Sequence, residues 1–474
     1  MPSIANSTLT LNGINGSTGE PLLAEATLEQ IATQACDEHL TTAEIEDLRR
    51  RRAQLKEDHL DTKFEIDPRN LAASGWGVIF PEDRQAELRE ALAPLLAWRK
   101  SQAASRHENR YRELVYQAGE SKARFLARHG AGSGPADPDK LPYYLLIAAG
   151  PGEISFGFQY QIDVQYAVGR LDFATAEEYA RYAASVVASE QGSLAPSHEV
   201  SFFGVANPGD CATELSLHNL VEPLAASIAR DRPQWQVETI LGPRATKAAL
   251  GERLGGAHTP ALLFTASHGL GFDAADPRHL PHQGALLCQD WPGREAWRGP
   301  ISQDHYLAGD DIADSASPAG LIAFFFACYG AGTPPFDSFN GEGERRRLAA
   351  ESFVARLPQR LLGHPKGGAL AVVGHVDRAW TFSFDWPESG EQLQVFESTL
   401  GRLLEGYPVG AAMEYFNQRY AELFTDLREQ AEEVKWGAQP DFLSLADLWT
   451  AAHDARSYIV LGDPAVRLGT PAKA

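Results

Sequence analysis

The sequence predicts an α/β protein: two side-by-side subdomains built on parallel sheets, behind an N-terminal extension that is partly helical. Three observations carry this. From about residue 70, short apolar runs alternate with stretches of helical periodicity, the pattern of strands linked by crossover helices. Several runs, YYLLIA at 143–148 and LIAFFFA at 321–327 among them, are apolar at every position, as central strands covered on both faces are. The chain has 474 residues, room for roughly three units at about 150 residues each. The boundaries read as 1–69 for the extension, 70–195 for the first subdomain and 196–474 for the second.

In the extension, the first twenty residues are polar and rich in Gly, Ser, Thr and Asn, and read as loose. Thr41 with Glu44 three residues on forms a capping box, opening a helix through Ile45, Leu48 and Leu55. In the first subdomain, Gly75–Phe80 is a strand closed by Pro81, and Leu88, Leu92, Leu95 and Leu96 lie at helical spacing. Glu113–Tyr116 is a second strand, Lys122–His129 a helix stopped at Gly130, Tyr143–Ala148 a strand and Ala174–Ala188 a helix. In the second, strands are expected at Val200–Ala206, Trp235–Leu241, Ala261–Ala266, Leu321–Ala327, Gly368–Gly374 and Ser457–Leu461. Helices are expected at Thr213–Ile228, Ala245–Leu254, near 346–361, and at 391–405 and 409–426. No repeat of 20–50 residues is present.

Composition narrows the function. Forty-two Lys and Arg against 63 Asp and Glu leave a net charge of −21, unlike the basic footprint of nucleic-acid binders or of proteins drawn to anionic membranes. No apolar run reaches the ~18–20 residues that span a bilayer. MPSIANSTLTLNGING lacks a basic stretch followed by an apolar one, so a cytoplasmic protein is expected. The four cysteines, Cys36, Cys211, Cys288 and Cys328, are too sparse for a disulfide framework, and none forms a CxxC pair. Asp273, Asp276, Asp304, Asp310, Asp311 and Asp314 crowd one loop with irregular spacing, unlike a calcium loop. Neither a metal nor a cofactor is expected.

In open α/β sheets, function collects beyond the C-terminal ends of strands. Two adjacent candidate strands end in reactive groups: LLFTASHG delivers His268 and Gly269, and LIAFFFACYGAG delivers Cys328. A thiol is only partly ionised at neutral pH, and an imidazole beside it takes its proton and later protonates a leaving amine. The N–H groups of Gly269 and Cys328 are candidates for an oxyanion hole. His375, at the end of its own strand, is the chief rival to His268 and a candidate for the substrate-binding wall. Cys211 and Cys288 lack a His-Gly partner and read as structural.

Five stretches in order, YYLLIAAGPGEISF, DVQYAVGRLDF, LLFTASHG, FFFACYGAG and YIVLGDPAVRL, together with GGALAVVGHVDRAW, resemble the gingipain-type family of clan CD cysteine peptidases. The resemblance covers roughly residues 70–470 and implies a caspase-haemoglobinase fold whose second subdomain is catalytic. It implies Cys328 as nucleophile, His268 as general base and acid, and Glu153 as the acid that orients the histidine. It implies Asp163 as the carboxylate that binds a substrate Arg or Lys, and Trp380 as an aromatic wall of that pocket. The expected activity is a thiol endopeptidase acting through a thioester, with a protein or peptide as substrate. Two departures stand out: gingipains are secreted and carry calcium sites, and Ala149-Gly150 replaces the family's Gly-Asp. Two other readings fit: an inactive caspase-like scaffold that binds a partner, and a protease effector of a prokaryotic defence or stress pathway with a regulatory partner docked on the extension. Arg345, Arg346 and Arg347, and the run Arg49–Arg52, are candidate self-cleavage positions under an Arg preference.

Overall fold

Trp76–Pro81 (β2) starts a sheet that takes up nearly every apolar run named above. The structure, a computed structural model, describes residues 10–22, 27–37, 45–46, 48–49, 66–192, 197–339, 346–386 and 390–469. After Gly13–Asn15 (β1) and β2, the strands in chain order are Tyr111–Tyr116 (β3), Tyr144–Ala148 (β4), Ala167–Leu171 (β5), Glu199–Gly204 (β6), Gln236–Leu241 (β7) and Leu262–Ala266 (β8). Gly269–Gly271 (β9), Leu286–Leu287 (β10), Tyr306–Leu307 (β11) and Ile322–Phe326 (β12) follow. Gly332–Thr333 (β13) and Phe353–Val354 (β14) pair with each other, as do Asp385–Trp386 (β16) and Gly390–Glu391 (β17). Ala371–His375 (β15) and Tyr458–Gly462 (β18) complete the set.

Ten of these strands form one sheet in the order β3-β2-β4-β5-β18-β15-β12-β8-β6-β7. The two parallel blocks thus stand side by side, as the sequence predicts, and β18 joins them: it runs parallel to β5 and antiparallel to β15. Within the second block, β8 and β12 are parallel neighbours with Phe326 level with Ala266, and β6 flanks β8 with Gly204 level with Ala266. The strands β4, β8 and β12 are buried at every residue, because helices cover both faces. Phe264 and Phe324 stack across the pair with ring centroids 5.2 Å apart.

Several expectations change. The Thr213–Ile228 helix is broken into Cys211–Ser216, a π turn at Leu217–Val221 and Glu222–Asp231; Pro223 has no N–H for the helical ladder and forces the break. The helix near 346–361 is confined to Arg356–Leu362, since Pro358 is tolerated only in a first turn. The capping box at Thr41–Glu44 lies outside the described residues, as do Arg50–Arg52 and Arg345. Residues 10–22 are not loose: β1 pairs in parallel with β9 in a second, four-stranded sheet, and Ile14 is fully buried. The helix Leu28–Asp37 packs Ile31, Ala32 and Ala35 inward, against the helices Glu414–Lys435 and Phe442–Arg456, so its apolar face is occupied within the chain. No described helix is long and apolar enough to cross a membrane.

A buried charge cluster ties the first block to the final strand. Arg99 Nε donates to Asp463 Oδ2 at 2.6 Å, and its terminal nitrogens donate to both Glu190 oxygens at 2.7 Å. Asp463 also accepts from Trp76 Nε1 and the Ala465 amide. Burial opposes the Arg99 charge, but the two carboxylates outweigh it and raise its pKa. Removing one partner of such a buried set strands the others. Arg99→Ala is therefore expected to lose about 3–5 kcal/mol, read as a lower urea midpoint.

Candidate active site

Two residues past the last paired level of β8 and β12 stand His268 and Cys328. Their strand ends are in contact: a Cβ on Gly269 would lie 1.8 Å from the Cys328 carbonyl oxygen and 2.7 Å from its nitrogen. Only glycine permits this approach. Gly269→Ala must displace the Cys328 turn and its N–H, so any peptide turnover that depends on this N–H should fall about 10²–10³-fold; circular dichroism beside the assay separates this from unfolding. Tyr329 is the sole non-glycine residue with positive φ among those described, at 58°, a conformation that costs roughly 1–3 kcal/mol. Its amide donates to Asp377 O at 2.8 Å and the Ala331 amide to His375 O at 2.8 Å. These bonds hold the turn that exposes the Cys328 N–H at the strand end.

His268 is oriented by a residue that the sequence reading omits. Its Nε2 lies 2.8 Å from Asp210 Oδ2, and the other Asp210 oxygen accepts from the Thr213 amide at 2.9 Å and the Thr213 hydroxyl at 3.0 Å. Burial alone would raise the Asp210 carboxyl; the His268 ring and the Thr213 donors override it and hold the group at about 2. An ionised Asp210 can only accept, so Nε2 carries the hydrogen. In the neutral ring the lone pair then sits on Nδ1, which is buried and has no hydrogen-bond partner among the described residues. Asp210 caps the helix Cys211–Ser216 and follows β6, the neighbour of β8. Its reach to His268 follows from β6 standing beside β8.

The sulfur is covered. Cys328 is fully buried, its Sγ accepts from the Ala379 amide at 3.2 Å, and burial pushes the thiol up to about 12. The cover is the chain's own residues 10–15. Asn12 O accepts from the Gly269 and Cys328 amides, each at 3.0 Å, and the Asn12 amide donates to Ala379 O at 2.9 Å. Leu11 forms an antiparallel bridge with Trp380, and the Thr381 amide donates to Thr10 O at 3.1 Å. On Gly13 a Cβ would stand 2.7 Å from Cys328 Sγ.

The other candidates lie as follows. Glu153 accepts from the Gly150 amide at 3.1 Å and pairs with Arg84 at 3.4 Å, whereas the carboxylate on His268 Nε2 is that of Asp210. Asp163 ends the helix Phe156–Asp163 and accepts from the Val168 amide at 3.2 Å, while its carbonyl takes Asn417 Nδ2. These two bonds brace the end of that helix against the start of β5 and against Asn417. Trp380 reaches the cleft through its backbone; its ring packs on Phe339 at 4.6 Å. His375 is fully buried against Tyr458, ring centroids 4.1 Å apart. Its Nε2 is 3.3 Å from Asp454, and burial outweighs a backbone contact at Arg378 and takes the imidazole down to about 3. Burial also raises the Cys288 thiol. Of the arginines, Arg49 pairs with Glu432 and Arg346 with Asp273 at 3.8 Å, and Arg347 donates to Ala350 O; none of these three bonds reaches Cys328 or His268.

No known protein family and no curated protein matches the chain by sequence. The chain is similar to several solved structures, each at low identity. One is a protease, 12% identical, with TM-score 0.47 over 84% of this chain and 80% of that one. Another is the Arg-specific cysteine proteinase gingipain R, 10% identical, with TM-score 0.43 over 84% and 79%. A third is the complex of the pro- and mature domains of RgpB from Porphyromonas gingivalis, 10% identical, with TM-score 0.40 over 84% and 80%.

Proposed function

We propose that this protein is a cysteine endopeptidase with Cys328 as nucleophile, His268 as general base and acid, and Asp210 as the residue that positions His268. The observation that carries the reading is the convergence of the Gly269 and Cys328 amides on one peptide carbonyl oxygen, each at 3.0 Å. Two backbone donors on one oxygen are what a tetrahedral oxyanion needs, and they lie at the strand end that bears the thiol.

In the reaction this supports, His268 Nδ1 takes the thiol proton as the sulfur adds to the carbonyl carbon. The negative charge moves onto the oxygen held by the two amides. Collapse breaks the C–N bond, and the proton passes from His268 to the departing amine. Water, activated by the same ring, then hydrolyses the thioester and restores the thiol. Asp210 stabilises the imidazolium formed in both halves. The basic-residue preference expected through Asp163 is not part of this proposal.

The complete burial of Cys328 favours a second reading, a scaffold without turnover. A panel of fluorogenic peptides varied at the residue before the scissile bond, assayed with wild type and with Cys328→Ala, separates the two. Turnover that needs Cys328 supports the peptidase. Identical traces for both proteins, on every peptide and after prolonged incubation, leave the scaffold.

A further inference from the structure

We infer that residues 10–13 lie in the cleft as a substrate, that the primary pocket selects asparagine, and that the protein cleaves its own Asn12–Gly13 bond. The inference rests on the peptidase reading and goes beyond it by naming the substrate class and the first bond cut.

The backbone of the segment makes every contact that a bound peptide requires. The carbonyl of the bond to be broken occupies the two-amide site, and the residue bearing it is fixed by its own N–H to Ala379 O. The preceding residues extend the pairing along Trp380 and Thr381. Beyond the bond, Gly13–Asn15 pairs with β9. A plug could cover the sulfur with any side chain; here a peptide carbonyl sits where its charge would be stabilised on attack, and the next residue is a glycine with nothing to keep the sulfur away.

The side chain of Asn12 is fully buried. Its Nδ2 donates to Ser216 Oγ at 3.2 Å and to Ser267 O at 3.4 Å. Ser267 O is an acceptor only, and Ser216 spends its own hydrogen on Thr213 O at 3.2 Å, so both groups present lone pairs. The pocket end therefore demands an N–H donor. An aspartate there would set a carboxylate against two acceptors. An arginine is longer than the space one asparagine fills, and Asp210 is already committed to His268 and Thr213. Asn12 Oδ1 has no hydrogen-bond partner among the described residues, so selection falls on the amide N–H₂ end. Sites that hydrogen-bond a specific group reject analogues lacking it far more strongly than apolar pockets do.

The step balances as ordinary hydrolysis. The Cys328 sulfur bonds to the Asn12 carbonyl carbon, the bond to the Gly13 nitrogen breaks, and that nitrogen leaves as an amine with the proton from His268. Water then releases Asn12 as a carboxylate. The new terminus stays anchored, since the Gly16 amide donates to Gly271 O, the Leu22 amide donates to Gly13 O, and Ile14 is buried in a second apolar cluster. Residues 10–12 are then no longer joined to Gly13, and their departure opens that half of the cleft.

The test is the intact mass and N-terminal sequence of the full chain after incubation, with the peptide panel alongside. Expected are a product of wild type beginning at Gly13, no product from Cys328→Ala, and cutting at this bond at least about 100-fold slower in Asn12→Asp and Asn12→Arg. In the panel, the Asn peptide should be turned over at least about 100-fold faster than its Arg counterpart. Cys328-dependent turnover of panel peptides with no cut at Asn12, or with Arg preferred, overturns this inference and leaves the peptidase standing. No turnover and no cut overturn both.

Discussion

Cys328→Ala and His268→Ala are each expected to lower kcat on the best panel peptide by roughly 10⁴-fold or more, and the double variant to be no worse than either alone. The reason is that the two residues act as one unit. Without the sulfur, the imidazole has no nucleophile to activate; without the imidazole, a thiol that burial holds at about 12 stays protonated at neutral pH. The residual rate belongs to the two backbone amides and to binding, which neither substitution touches. Folding should survive, because Cys328→Ala removes a single sulfur from a site packed by the 10–15 segment, a loss of about 1 kcal/mol by the cost of small cavities. Cys288→Ala supplies the contrast: Cys288 is buried just after β10, its Sγ donating to Leu286 O at 3.4 Å, and activity should stay within about twofold. Equal losses in Cys288→Ala and Cys328→Ala would mean that general destabilisation, and not the nucleophile, had been measured.

The central strands were legible because they are short runs apolar on both faces and bounded by turn residues. β4, β8 and β12 fall where the runs 143–148, 261–266 and 321–327 place them. β5 was hidden by its composition: AVGRL contains Arg170, whose guanidinium is buried and donates to Ala149 O, Ile154 O and Gln159, so a charged residue stands inside a central strand. The reversal of β18 was also not readable, since strand direction depends on how the preceding helices cross the sheet.

The site was legible only where chemistry and strand ends coincide in sequence. His-Gly and Cys, each following an apolar run, are local signals, and the structure sets their strand ends in contact. Asp210 gave no such signal. It stands six residues beyond β6, behind Pro208 and Gly209, and reads as an ordinary helix cap; its second role exists only because β6 lies beside β8. The N-terminal segment was missed for a related reason. LNGING has too few apolar residues to order itself, and its order comes from backbone pairing with β9 and with residues 379–381, which composition cannot reveal. Glu153 and Asp163 were read through the resemblance; in the structure both carboxylates accept from amides of the first block.

Asp210→Asn should lower kcat by as much as about 10⁴-fold while leaving KM nearly unchanged, because it reverses the histidine tautomer. The carboxylate accepts from Nε2–H; an amide placed at the same spot can present its N–H₂ there, which moves the ring hydrogen to Nδ1 and removes the lone pair that must take the thiol proton. The variant also loses the charge that stabilises imidazolium. Stability follows with a defined sign. The Asp210 carboxyl lies at about 2 in the folded protein against 3.8 as its ordinary value, so its charged form stabilises the fold above pH 4, and that contribution drains away as pH falls through about 2. The difference, on the order of 2 kcal/mol, should separate wild type from Asp210→Asn in urea midpoints at neutral pH and narrow below pH 4. Because Asp210 stays ionised down to about 2, its titration cannot produce an acid limb of activity near neutrality; a variant that merely shifted such a limb, with kcat recovered at another pH, would show that Asp210 tunes the ring's charge and does not set its tautomer.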